Sequence, residues 1–112
     1  MGKMSRNKGK LGEREAAHEL TRVLGIEAAR GRQYQGGDDS PDLKTSLAGV
    51  HFEVKRVESL SLYPALEQAR EDCGDAVPVV LHRRNGKRWV VVVELDDLPK
   101  FASQVFLQTA AR

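Results

Sequence analysis

Apolar positions change period several times along the chain, and each change predicts an element. Ala17, Leu20, Val23 and Leu24 recur at helical spacing, which predicts a helix from about Lys10 to Leu24 with Gly25 as its stop. Glu27 to Arg30 reads as a short extended piece, and Gly31 to Pro41, rich in Gly, Asp and Ser, as a loop. From Asp42 the period falls to two. Asp42 to Ser46 is a candidate strand and Ala48-Gly49 a tight turn. Val50 to Val57 is a strand on which Val50, Phe52 and Val54 face one way and His51, Glu53 and Lys55 the other. A helix follows from about Leu62 to Cys73, with Leu62, Leu66, Ala69 and Cys73 as its apolar stripe and Pro64 in its first turn. Val77 to Arg83 and Arg88 to Leu95 flank Asn85-Gly86, a hairpin signal. The run Val90 to Val93 is apolar on both faces and is expected in the centre of a sheet. A last helix starts near Asp97, with Pro99 in its first turn and Leu98, Phe101, Ala102, Val105 and Phe106 as its buried stripe. Leu107 falls off that stripe and offers spare surface to a partner.

The order α-β-β-β-α-β-β-α predicts an α/β fold, a mixed central sheet flanked by helices. The helix between Val57 and Val77 requires one parallel crossover. The 112 residues fit one domain, residues 10–112, behind a flexible basic arm of residues 1–9. Trp89 to Val93, the longest apolar run, is far too short to span a bilayer, so no membrane partner is expected. The basic N-terminus has no apolar segment behind it and does not read as a secretory signal. Hydrophobic residues at 40% and charged residues at 30% argue against wholesale disorder. The lone Cys73 excludes an intrachain disulfide and a thiolate zinc site, and fits a reducing, cytoplasmic setting, that of a host cell if the chain is phage-encoded.

A net charge of +2 says little, but its distribution says more. Lys3, Arg6, Lys8 and Lys10 fall in the first ten residues without an acid, and Arg83, Arg84, Lys87 and Arg88 surround the expected turn. Such clusters suit a phosphate backbone, although a solvated tail and a solvated hairpin tip would look the same.

Chemistry enters with Glu53-Val54-Lys55. Alternation puts Glu53 and Lys55 on one strand face, which alone also describes a surface ion pair. Asp42 begins the preceding strand, just after Pro41. If that strand folds back antiparallel at Ala48-Gly49, Glu53 is paired with the low forties and Asp42 comes close to it. Two carboxylates there repel unless a cation joins them. An all-oxygen pair suits Mg²⁺, with Mn²⁺ as substitute. Glu13 heads the stripe Glu13, Ala17, Leu20, Leu24, where a carboxylate is costly unless paired, although the helix N-terminus also favours an acid there. Asp38 and Asp39 compete with Asp42 as ligands, but both also suit turn positions.

Pro41-Asp42 followed by Glu53-Val54-Lys55 resembles the PD-(D/E)XK nuclease signature, and Lys8-Gly9-Lys10-Leu11-Gly12-Glu13-Arg14-Glu15 resembles the first helix of archaeal-type and phage Holliday junction resolvases. The resemblance runs from about Lys8 to Val93 and implies a restriction-endonuclease-like core. It implies that Asp42, Glu53 and the Val54 carbonyl hold one or two Mg²⁺ ions, with Glu13 on the metal directly or through water. Lys55 would activate the attacking water, and Gln68 would orient the lysine or the phosphate. The expected products are a 5′-phosphate and a 3′-hydroxyl. The expected partner is DNA, in the form of a four-way junction cut by a homodimer, since two strands are cut symmetrically. Expected DNA contacts are Lys8, Lys10, Arg30, Arg32, Tyr34, Arg56, Arg83 and Arg84. His51 shares the Glu53 face and is read as a polar surface histidine or a DNA or water contact. His18 and His82 have no visible partner, and Trp89 reads as core. Three rivals stay open: a nuclease of the same chemistry acting on nicks, flaps, forks or duplex DNA, a nucleic-acid-binding module without catalysis, and an interaction protein using Leu107 and the last helix.

Overall fold

The computed structural model describes residues 2–31 and 42–110. Its elements follow the expected order: α1 (Gly2–Leu24), β1 (Ala28–Arg30), β2 (Leu43–Thr45), β3 (Val50–Arg56), α2 (Leu62–Asp72), β4 (Val77–Arg83), β5 (Val90–Val92), a 3₁₀ turn (Leu95–Asp97) and α3 (Leu98–Ala110). α1 starts eight residues earlier than its apolar spacing predicts, so the segment expected as a basic arm is helical. Hydrophobic spacing reports only the turns that pack, and those before Lys10 carry no stripe.

β3, β4 and β5 form one mixed sheet. β4 pairs with β3 in parallel, Glu53 opposite Val80, and with β5 antiparallel, Leu81 opposite Val91. The parallel pair is joined through α2, as the Val57–Val77 connection requires. Gly86 takes the left-handed conformation (φ 73°) that the tight turn between β4 and β5 needs.

The sheet separates two apolar layers. On one face Phe52, Val79 and Leu81 pack with Ala16, Ala17 and Leu20 of α1, joined by Trp89, Phe101 and Val105. On the other, Ala65, Leu66 and Ala69 of α2 cover Val80. Gly12 lets α1 settle on the sheet, since a Cβ there would lie 2.6 Å from the Arg56 Cβ. That close approach fixes where the next residue, Glu13, stands.

Four expectations are corrected. The central strand is β4, buried from Val77 to Leu81, whereas β5 is an edge with Val90 48% and Val91 50% exposed. Apolar composition marks both strands of a hairpin alike; the crossover decides which is central, because β3 takes the far side of β4. Next, β2 pairs with β1, not with β3, in a separate two-stranded sheet with Ala29 opposite Lys44. Ser46 N–H donates to the Glu27 carbonyl, and Gly49 (φ 75°) turns the chain so that its carbonyl accepts from Val77, which leads β3 away from β2. Third, α3 buries less than its stripe predicts: Phe101 and Val105 pack on the core, while Leu98, Ala102 and Phe106 are exposed, as is Leu107. Finally, Val23 of α1 and Leu62 of α2 are exposed, because each helix covers a small sheet through only part of its face.

No helix among the described residues is long and apolar enough to cross a membrane.

Candidate active site

β3 is the outer strand of its sheet, so some of its N–H groups face away from β4 with no ladder partner. The Val54 N–H is one of these, and Asp42 Oδ2 accepts its hydrogen bond at 2.7 Å. Asp42 immediately precedes β2 and is held there by main chain, since the Gly31 N–H donates to the Asp42 carbonyl. Asp42 and Glu53 are thereby brought together, although not through the hairpin pairing the sequence suggested.

Glu53 is 4% exposed, the only charged residue in the core among those described. Burial pushes its carboxyl up, but hydrogen bonds from His51 and Asp42 and the charges of His51 and Lys55 outweigh it and hold the group below the usual carboxylate range. Asp42 goes the other way. Burial pushes it up to about 7, against the Val54 hydrogen bond, and the Glu53 and Glu13 charges add to the rise. The two carboxyls are thus pushed apart, Asp42 towards its protonated form and Glu53 towards its charged form.

Glu13 stands close enough to raise Asp42 through its charge, and its Oε1 accepts from Arg30 Nε at 2.7 Å. That ion pair supplies the partner a carboxylate on the inward side of α1 requires. Lys55 Nζ donates to Gln68 Oε1 at 2.8 Å, which joins the lysine of β3 to the glutamine of α2. Glu13, Asp42, Glu53, Lys55 and Gln68 thus converge on the β3 edge from three helices and strands and one connecting segment.

The expected DNA contacts divide. Lys10 and Arg84 are exposed, and Lys8 lies in α1. Arg30 is engaged by Glu13. Arg56 is tied to Asn85 Oδ1 at 2.8 Å, and Arg83 to Glu15 and to the Lys87 carbonyl, so both brace the β4–β5 hairpin against α1. Arg32, Tyr34, Asp38 and Asp39 lie outside the described residues.

Sequence reasoning passed over three features. Glu15 accepts from the Trp89 indole N–H at 2.8 Å and from Arg83, which ties α1 to the hairpin. His82 Nε2 lies 2.9 Å from the Val57 carbonyl. His51 is not a plain surface group: its Nε2 lies 3.4 Å from Glu53 Oε1, the Glu53 hydrogen bond raises it above the usual imidazole range, and Asp72 offers a carboxylate beside both. The strand alternation already placed His51 on the Glu53 face; Asp72 carries no signal until α2 is docked.

No family model matches the chain, and no curated protein matches it. Among solved structures it is similar to that of Archaeoglobus fulgidus Hjc, a Holliday junction resolvase from an archaeal hyperthermophile, with a TM-score of 0.56, 22% identity and 72% of each chain covered. The fold is the mixed α/β fold of that protein. At this identity the likeness speaks for the fold alone.

Proposed function

We propose that this chain is a metal-dependent DNA endonuclease of the PD-(D/E)XK type, selective for branched DNA such as a four-way junction. The observation that carries the reading is the Asp42–Glu53 pair, a half-buried and a buried carboxyl brought together at one strand edge by the Asp42–Val54 hydrogen bond, with a lysine on the same strand face. The resemblance of the solved resolvase supports the substrate class.

The donor set fits a hard divalent cation. Asp42 and Glu53 would hold Mg²⁺, with Mn²⁺ as substitute and the Val54 carbonyl as a further oxygen, and Glu13 would add charge from α1. The bound ion would polarise the phosphodiester and lower the pKa of a nucleophilic water. Glu53 keeps its negative charge because His51 and Lys55 flank it. Asp42 would be held in its charged form by the cation, and the Val54 N–H anchors it as an acceptor. Gln68 keeps the Lys55 ammonium beside the pair, where it orients the attacking water and offsets charge on the phosphate in the transition state. The products are a 5′-phosphate and a 3′-hydroxyl.

Two cuts on a junction call for two sites, and we assign the protein as a homodimer. Val90 and Val91 on the sheet edge, with Leu98, Phe106 and Leu107 of α3, supply exposed apolar surface for a second copy.

Cleavage of a synthetic four-way junction beside a flap, a fork, a nicked duplex and a linear duplex tests the reading. Expected is Mg²⁺-dependent cutting of the junction, abolished in Glu53→Ala with DNA binding kept. Binding without cutting in any metal would assign a non-catalytic module instead.

A further inference from the structure

We propose that His51, Glu53 and Asp72 form a second cation seat, one that takes a borderline transition ion of the zinc or cobalt class rather than Mg²⁺. It goes beyond the nuclease reading and shares with it only one metal ligand, Glu53. His51 and Glu53 project from the same face of β3, and Asp72 closes α2, the helix packed over that face. The three residues bring one ligand atom each within 4.8 Å of one another.

The spacing also suits an ion held between the two groups. His51 Nε2 and Glu53 Oε1, which pair with each other in the metal-free protein, are 3.4 Å apart. Two ligands about 2.1 Å from a tetrahedral zinc ion stand about 3.4 Å apart. Adjacent ligands about 2.1 Å from an octahedral Mg²⁺ stand only about 3.0 Å apart. Two of the three donors are pre-set, since the His51 side chain is 10% exposed and that of Glu53 5%. Asp72 is the exposed third. The nitrogen donor decides the class of ion, because imidazole favours zinc, cobalt and copper over magnesium. A way in exists: His51 also lines a cleft of about 240 Å³ with Thr45, Lys44 and Cys73.

The test is a titration of the metal-free protein with Co²⁺, read by visible absorption, followed by displacement with Zn²⁺. Wild type and Asp42→Asn are expected to give the intense spectrum of tetrahedral cobalt and to release it to zinc. His51→Gln and Asp72→Asn are each expected to weaken binding at least about tenfold. The seat is overturned if wild type gives no such spectrum, if His51→Gln binds as wild type does, or if Asp42→Asn loses the ion as completely as His51→Gln. Far-UV circular dichroism checks that His51→Gln is folded; if it is not, the exposed Asp72→Asn decides, and unchanged cobalt affinity there overturns the proposal. Junction cleavage in Mg²⁺ is scored separately. A chain that binds cobalt as described but cuts nothing keeps this seat and loses the nuclease reading; one that cuts, yet binds cobalt without His51, does the reverse.

Discussion

Replacing Asp42 by Asn in the metal-free protein is expected to raise stability at alkaline pH, although the residue is central to the proposed chemistry. Folding pushes the Asp42 carboxyl from its usual 3.8 up to about 7. The folded state therefore keeps a proton that the unfolded chain loses as pH rises past about 4. Stability falls through the window from about pH 4 to about pH 7 and is level above it. Three units at about 1.4 kcal/mol each give a cost on the order of 4 kcal/mol at pH 8. Asparagine removes the charge, keeps an oxygen for the Val54 N–H and presents an N–H to Glu53. In urea denaturation with a chelator, Asp42→Asn should match wild type near pH 4 and exceed it by up to about 4 kcal/mol at pH 8. Saturating Mg²⁺ should narrow the gap. Wild type then gains about 2.7 kcal/mol at a hundredfold excess over Kd, and the variant gains little. Equal stability of the two proteins at pH 8 in chelator would refute the reasoning, since it would mean that burial beside Glu53 and Glu13 does not disfavour the charged Asp42.

Further outcomes follow from other parts of the molecule. Gly12→Ala ordinarily gains close to 1 kcal/mol in a helix, but here the new Cβ meets the Arg56 Cβ at 2.6 Å, so thermal denaturation should show a net loss of about 1–3 kcal/mol. Glu15→Ala strips the Trp89 indole and Arg83 of their shared acceptor and should cost about 1–2 kcal/mol in the same assay. The His51 imidazole, raised by its bond to Glu53, stabilises the metal-free fold below its usual 6.5, and that contribution is lost as pH rises through its folded value. An NMR titration in chelator should place its midpoint above 6.5, falling in Glu53→Gln. Gln68→Ala frees the Lys55 ammonium and should lower the single-turnover cleavage rate about tenfold while leaving junction affinity intact.

The sequence made the order of elements and the facing of β3 more legible than the pairing around them. Alternation along Val50 to Val57 sorted His51, Glu53 and Lys55 from Phe52 and Val54 correctly, because the strand's two faces carry different chemistry, apolar towards α1 and polar towards α2. The Asn85-Gly86 turn and the parallel crossover were equally readable, being local and geometric. The juxtaposition of Asp42 with Glu53 was anticipated by a pairing that does not exist: β2 joins β1, and the side chain of Asp42, not its strand, reaches β3. The valines of β5 misled because hydrophobicity cannot say which hairpin strand a crossover will cover. Glu15 and Asp72 were silent because their partners, Trp89 and His51, are distant in sequence and meet them only after packing.

The most direct measurement is the anomalous signal of Mn²⁺ in crystals of the protein. A peak bonded to carboxylate oxygens of both Asp42 and Glu53, at roughly 2.0–2.3 Å, is the expected result. Saturated crystals in which those two carboxyls remain joined to each other, with no ion between them, would contradict a shared cation site.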